Sequence, residues 1–236
     1  MEGLKDSDKS FRLQNIAVIE DNPAHVMLIH MTLEDTQEDY KVVAYENLKT
    51  FEEDVKINVP DLVIADLNLP DGTAIDLLKK CFGNHEFPVI VMTAQGDESS
   101  AVQVMKLGAL DYIVKTEDFF QEVPRTIQRV WREWSLVKKN ELAEQQLIDN
   151  EARYRNLFEA TTDGILILKN GIISDANPSA IRLFRLDNFQ ELVGKSLLQF
   201  SPKNQHNAGE SAVLFEHYSQ QALLNSNARF EWQFID

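Results

Sequence analysis

Residues 60–72 read PDLVIADLNLPDG. An apolar run, Leu62 to Ala65, lies between Pro60-Asp61 and Pro70-Asp71-Gly72. Unbroken apolar runs between turn signals belong to parallel strands covered on both faces; a half-solvated strand would alternate. This run ends on a carboxylate, Asp66. The same pattern recurs outward in both directions. Upstream, NIAVIEDNPAH (15–25) stops at Glu20-Asp21, and Pro23 opens a helical pattern over 23–35 with Val26, Ile29, Met31 and Leu33. YKVVAYE (40–46) predicts a strand and LKTFEEDVKI (48–57) a helix. Downstream, TAIDLLKKCF (73–82) is helical and FPVIVMTAQ (87–95) is a buried strand. DESSAVQVMKLGA (97–109) predicts a capped helix ending near Gly108, and DYIVKT (111–116) a fifth strand. Five strand–helix alternations in about 120 residues predict an α/β fold with a doubly wound five-stranded parallel sheet.

The chain has 236 residues, enough for two domains. With 44% hydrophobic and 26% charged residues, it has the composition of a soluble globular protein. No apolar run approaches the length of a membrane span. The polar start, MEGLKDSDKSF, lacks the apolar core of a signal peptide, so a cytoplasmic protein without membrane contact is expected. The single cysteine, Cys81, excludes an intramolecular disulfide and a cysteine-rich zinc site. Residues 1–118 hold 10 Lys+Arg against 23 Asp+Glu, and residues 119–236 hold 13 against 15. An acidic first half argues against binding nucleic acid, whose phosphates need a basic footprint.

From Phe119 the texture changes. Residues 119–160 contain no Gly and one Pro, Pro124. Val123, Ile127, Val130, Trp134 and Val137 follow a 4-3-4-3 spacing, and a second seam runs Leu136, Asn140, Ala143, Leu147, Asn150, Tyr154, Leu157. The seams differ in phase by one residue, so a coiled coil would adjust near 136–140. A solvated linker helix and a parallel homodimer stalk both fit; in a stalk, Asn140 and Asn150 would set register. Beyond it lies a small α+β domain. Lys169-Asn170-Gly171 marks a hairpin, Asn177-Pro178 opens a helix, a further helix spans about 211–225, and ARFEWQFID is expected as a strand. A terminal edge strand of this kind leads us to expect a truncated domain.

In open parallel sheets, ligands bind beyond the carboxyl ends of the strands. The residues there are Glu20, Asp21, Asp66, Thr93 and Lys115. Clustered carboxylates repel unless a cation joins them, and oxygen ligands suit Mg²⁺. His25, His30 and His85 read as surface or packing residues, and Cys81 as packing.

The segments IEDN, VIADLNLPDG, VIVMTA and DYIVK occur in order over residues 13–130. There the chain resembles the flavodoxin-like receiver domain of two-component response regulators. The resemblance implies that Asp66 accepts a phosphoryl group from a sensor histidine kinase or phosphotransfer protein. Glu20 and Asp21 would hold Mg²⁺, with Asp66 and the backbone carbonyl of Asn68 as further ligands. Thr93 would hydrogen-bond the phosphoryl oxygen and Lys115 pair with it, while Tyr112 takes the place of the aromatic that swings inward as the threonine moves. Self-phosphorylation and dephosphorylation at Asp66 would be its only chemistry. One departure is Thr116, where the family often has proline.

Residues 151–236 resemble a PAS sensor domain, most characteristically in NLFEATTDGI and ANPSAIRLF. The resulting division is a receiver at 13–130, a coiled-coil linker at 119–153 and a partial PAS domain at 154–236, with an antiparallel sheet and a homodimer expected through the 119–160 helix and the PAS domain. No cysteine is available for a flavin adduct, and His206 and His217, in polar surroundings, do not suit haem. Phe158, Phe184, Phe200 and Phe215 read as core, and no PAS ligand is assigned. The function expected is phosphorylation-dependent signalling through the helix to the PAS domain and an output domain beyond this chain, which could be catalytic. Two rivals stand beside it: an unphosphorylated pseudo-receiver serving as a dimerisation module, and a phosphatase, since Asp66-Leu67-Asn68 loosely resembles an Asp-x-Asp loop. The latter needs a second acid where Asn68 stands.

Overall fold

The computed structural model describes residues 12–81, 86–94, 98–116, 118–206 and 209–235. Two compact units divide the chain between Ala143 and Glu144.

The first unit contains β1 (Asn15–Ile19), α1 (Pro23–Glu34), β2 (Lys41–Tyr45), α2 (Leu48–Asp54), β3 (Leu62–Asp66), the short strands β4 (Asn68–Leu69) and β5 (Gly72–Thr73), α3 (Ala74–Cys81), β6 (Val89–Ala94), α4 (Glu98–Lys106) and β7 (Asp111–Lys115). α5 (Phe119–Ala160) begins here and ends in the second unit. The main sheet is parallel, in the order β2-β1-β3-β6-β7. This is a doubly wound sheet whose winding reverses at β1, and sheets of this kind bind ligands at the carboxyl ends beside the reversal. β4 and β5 pair as an antiparallel ribbon just past β3.

The apolar runs explain the layers. Ile16, Val18, Leu62, Ile64, Ile90 and Met92 point to one face, under Ile29 and Leu33 of α1 and Val123, Ile127 and Val130 of α5. Their neighbours Ala17, Ile19, Val63, Ala65, Val89 and Val91 point to the other, under α2, α3 and α4. A strand covered on both faces has no polar position to spare, so its first polar side chain comes where it leaves the core. Asn22 caps α1 by accepting the Ala24 N–H at 3.0 Å, and Asn47 caps α2 through the Thr50 N–H at 2.9 Å.

Two expectations in this unit are corrected. Met31 is exposed, because Ile29 and Leu33 are the buried positions of α1. Val123, Ile127 and Val130 are not a coiled-coil seam; they are fully buried on the receiver sheet. A 3–4 spacing declares an apolar helix face and says nothing of whether a sheet or a helix covers it. The first residue of the capped helix expected over 97–109, together with His85, falls outside the described residues.

The second unit contains the end of α5, the hairpin β8 (Leu166–Lys169) and β9 (Ile172–Ala176), α6 (Pro178–Leu183), the ribbon β10 (Asn204–Gln205) and β11 (Gly209–Glu210), and α7 (Ser211–Asn225). Asn170 and Gly171 have φ of 53° and 76°, the two left-handed residues of a tight hairpin turn. Asn177, fully buried, ties the unit together. Its Oδ1 accepts the N–H groups of Ile165 at 2.9 Å and Ala180 at 2.8 Å, and its Nδ2 donates to the carbonyls of Phe158 at 3.0 Å and Asp163 at 2.9 Å. The strand expected at 228–236 is absent among the described residues. That segment is held mainly by side chains: the Gln233 N–H donates to Gln205 Oε1 at 2.7 Å and Trp232 Nε1 to Ser201 Oγ at 2.9 Å. The antiparallel strand pairs described in this unit are the hairpin and the β10–β11 ribbon, and Ile172 forms an antiparallel bridge with Ser196. Phe158 is buried, and Phe184 and Phe200 pack edge-to-face at 5.3 Å against the core.

Candidate functional site

The ends of β1, β3 and β7 bring three side chains together. Glu20 follows β1, and its N–H donates to the Tyr45 carbonyl at 3.0 Å, which continues the β1–β2 ladder by one residue. Asp66 ends β3 and Lys115 ends β7. Lys115 Nζ lies 2.8 Å from Glu20 Oε2 and 2.9 Å from Asp66 Oδ2. All three side chains are largely removed from solvent: 1% exposed for Glu20, 14% for Asp66 and 15% for Lys115. Asp21, exposed, adds a third carboxylate, and one oxygen from each of the three acids lies within 4.8 Å of the others.

Charge governs this cluster. Three carboxylates face one ammonium, and two of the acids are in a low-dielectric setting. Burial holds the Asp66 carboxyl above its ordinary pKa; the charge of Glu20 adds to this, while Lys115 and the Leu67 N–H oppose it. A hard divalent cation would relieve the repulsion, and the all-oxygen donor set fits Mg²⁺ rather than a softer metal. Among the described residues, Glu20, Asp21 and Asp66 form the acidic group able to hold it.

Thr93 is buried in β6, one residue beyond the Met92 that pairs with Asp66. Asn68 is exposed at the start of the β4–β5 ribbon, two residues past Asp66. Tyr112 is 41% exposed on β7 beside buried Ile113 and lies outside the acidic cluster. Thr116 follows Lys115 through a trans bond, and its N–H donates to the Val114 carbonyl at 2.8 Å. In the sequence alone, His25 has the character of a surface or packing residue. Its Nδ1 lies 3.1 Å from Glu20 Oε1, and its ring packs edge-on to Phe119. Its place in the first turn of the helix after β1 was the signal available.

The profile of the response regulator receiver domain matches residues 16–123, and that of the PAS fold matches residues 152–229. The transcriptional regulatory protein FixJ of Bradyrhizobium diazoefficiens is 30% identical over 144 residues, which cover 57% of this chain and 68% of that protein. The chain belongs to the response regulators. In this regulator a receiver domain is followed by a PAS domain. The methanogenesis regulatory protein FilR1 of Methanothrix harundinacea is 33% identical over 131 residues, 53% of this chain but only 29% of that protein. The signal receiver domain of a protein described as a Luxo repressor, from Vibrio parahaemolyticus, superposes with a TM-score of 0.50 at 24% identity, covering 55% of this chain and 98% of that one; it shows the shared receiver fold. Among the described residues, no helix of this regulator is long and apolar enough to cross a membrane.

Proposed function

We propose that this regulator accepts a phosphoryl group on Asp66 and passes the change in its receiver along α5 to the PAS domain. The observation that carries this reading is Lys115 spanning Glu20 and Asp66 beside a third carboxylate, all at the carboxyl edge of a parallel sheet. Bound there by Glu20, Asp21, Asp66 and the Asn68 carbonyl, Mg²⁺ would neutralise charge on the transferring oxygens. An oxygen of Asp66 bonds to phosphorus while the P–N bond of the donor's phosphohistidine breaks, and the electron pair leaves on the imidazole nitrogen. Lys115 then turns from the carboxylates to the phosphoryl oxygens, and the Thr93 hydroxyl donates to one of them. Tyr112, outward in this structure, is the aromatic that follows Thr93 inward. The donor is a sensor histidine kinase or a phosphotransfer protein, and the setting is the cytoplasm.

Along α5, Leu136, Leu147, Tyr154 and Leu157 are all more than half exposed at seam positions, which supports a homodimer through the later part of this helix and the PAS domain. The receiver at 13–130, linker at 119–153 and PAS domain at 154–236 are the working divisions. Asn68 in place of a second acid leaves the phosphatase reading without a proton donor.

Intact-mass analysis after incubation with acetyl phosphate and Mg²⁺ tests the assignment. One added phosphoryl group is expected in the wild type, none in Asp66→Ala and none with a chelator. No addition under any condition would leave a pseudo-receiver that acts by association alone.

A further inference from the structure

Glu20 carries more partners than a metal ligand needs. Its side chain is 1% exposed, and both oxygens are engaged. Oε2 accepts from Lys115, while Oε1 accepts the Asn22 N–H at 3.2 Å and faces His25 Nδ1 at 3.1 Å. Asn22 and Lys115 are fixed by the cap of α1 and by β7; His25 arrives from the first turn of α1. The same imidazole meets the head of α5: its centroid is 5.9 Å from the Phe119 ring at 84° and 6.2 Å from the Phe120 ring at 58°. Phe119 is buried in the core shared by β1, β3, β6, β7, α1 and α5. One side chain therefore touches both a carboxylate of the acidic pocket and the first turn of the helix that leaves the receiver.

We infer that His25 is a positioning residue: through Nδ1–H it sets the orientation of the Glu20 carboxylate for the divalent cation, and through its ring it ties that carboxylate to the start of α5. The inference rests on the metal-dependent reading above and adds a residue to it. Partners that orient a ligand carboxylate typically change metal affinity 10- to 100-fold when removed. The ring contact supplies the second half, because any shift of Glu20 on binding the cation would press the imidazole against Phe119.

Two substitutions separate the halves. His25→Leu removes the donor. His25→Asn keeps an amide nitrogen where Nδ1 stands and removes the ring. Mg²⁺ is titrated into the full chain by calorimetry, and amide exchange over residues 119–127 is followed with and without Mg²⁺. We expect His25→Leu to weaken Mg²⁺ about 10-fold or more, and His25→Asn to bind within about 3-fold of the wild type but to lose the Mg²⁺-dependent change in exchange over 119–127. Wild-type affinity in His25→Leu, or equal weakening in both variants, overturns the donor role. A retained exchange response in His25→Asn overturns the link to α5. If the wild type itself binds no Mg²⁺ at millimolar concentration, the metal-dependent reading fails first, and this inference falls with it.

Discussion

Asp66 sits where two demands conflict. It must be close to Glu20 and Asp21 to share a cation, yet burial and the charge of Glu20 disfavour its ionised form. The folded state therefore holds the Asp66 proton more tightly than the unfolded chain does. Its contribution to stability is full below the ordinary carboxylate range and is lost as pH rises through the raised value. Asp66→Asn removes that loss. The variant should melt a few degrees above the wild type at neutral pH without metal, and the gap should close as pH falls into the ordinary carboxylate range, as read by thermal unfolding monitored by circular dichroism. Lys115 has the opposite effect. Lys115→Met leaves Glu20 and Asp66 buried without their cation, which should cost about 3 kcal/mol in urea unfolding at pH 7. Millimolar Mg²⁺ should restore part of that loss, because it supplies a replacement positive charge. An equal loss with and without Mg²⁺ would count against a cation site at these acids.

At the scale of elements, α5 changes role along its length. Its first turns belong to the receiver core through Val123, Ile127 and Val130, whereas Leu136, Leu147, Tyr154 and Leu157 are exposed. Ile127→Ala should destabilise the receiver by about 2–4 kcal/mol, as a cavity opens against the sheet. Leu147→Ser should leave receiver stability within about 0.5 kcal/mol, as an exposed position should, and should weaken self-association in sedimentation velocity. If Leu147→Ser sediments like the wild type over the same concentration range, the stalk is not the dimer contact. The PAS unit depends on one buried amide in a comparable way. Asn177→Ala orphans the N–H of Ile165 and the carbonyls of Phe158 and Asp163 and strips the cap of α6. A loss of about 2–4 kcal/mol is expected for this unit alone, judged from the cost of unsatisfied buried groups.

For the whole molecule, two compact units each with its own core predict two unfolding transitions. A ligand stabilises only the unit that binds it. At a concentration 100 times its Kd, Mg²⁺ should raise the stability of the receiver by about 2.7 kcal/mol and leave the PAS transition unmoved. Differential scanning calorimetry of the full chain, compared with Asp66→Ala, separates these outcomes. A shift of the PAS transition of the same size would place a cation site in the second unit. Of the acids among the described residues of 1–118, Glu20, Asp21 and Asp66 come together at the candidate site.

Much of the receiver was legible because its signals are local. Apolar runs punctuated by Pro, Asp and Gly define buried parallel strands, and the first polar residue after each run must lie at the sheet edge. Glu20, Asp66, Thr93 and Lys115 could therefore be placed without knowing a single contact. The hairpin at Asn170-Gly171 and the cap at Asn177 were readable for the same reason, since turn and cap chemistry depends on neighbours in sequence. What the tertiary structure alone decided depends on partners distant along the chain. Val123, Ile127 and Val130 have the spacing of a coiled coil, yet a sheet covers them; Met31 has helical spacing, yet solvent covers it. Residues 228–235 are composed like a strand but no described strand pairs with them, and their hydrogen bonds go largely to side chains. His25 meets Glu20 and Phe119 because α1 and α5 pack on the same face of the sheet. Periodicity fixes which side of an element is apolar; which surface arrives to cover it is set by the packing of the whole chain.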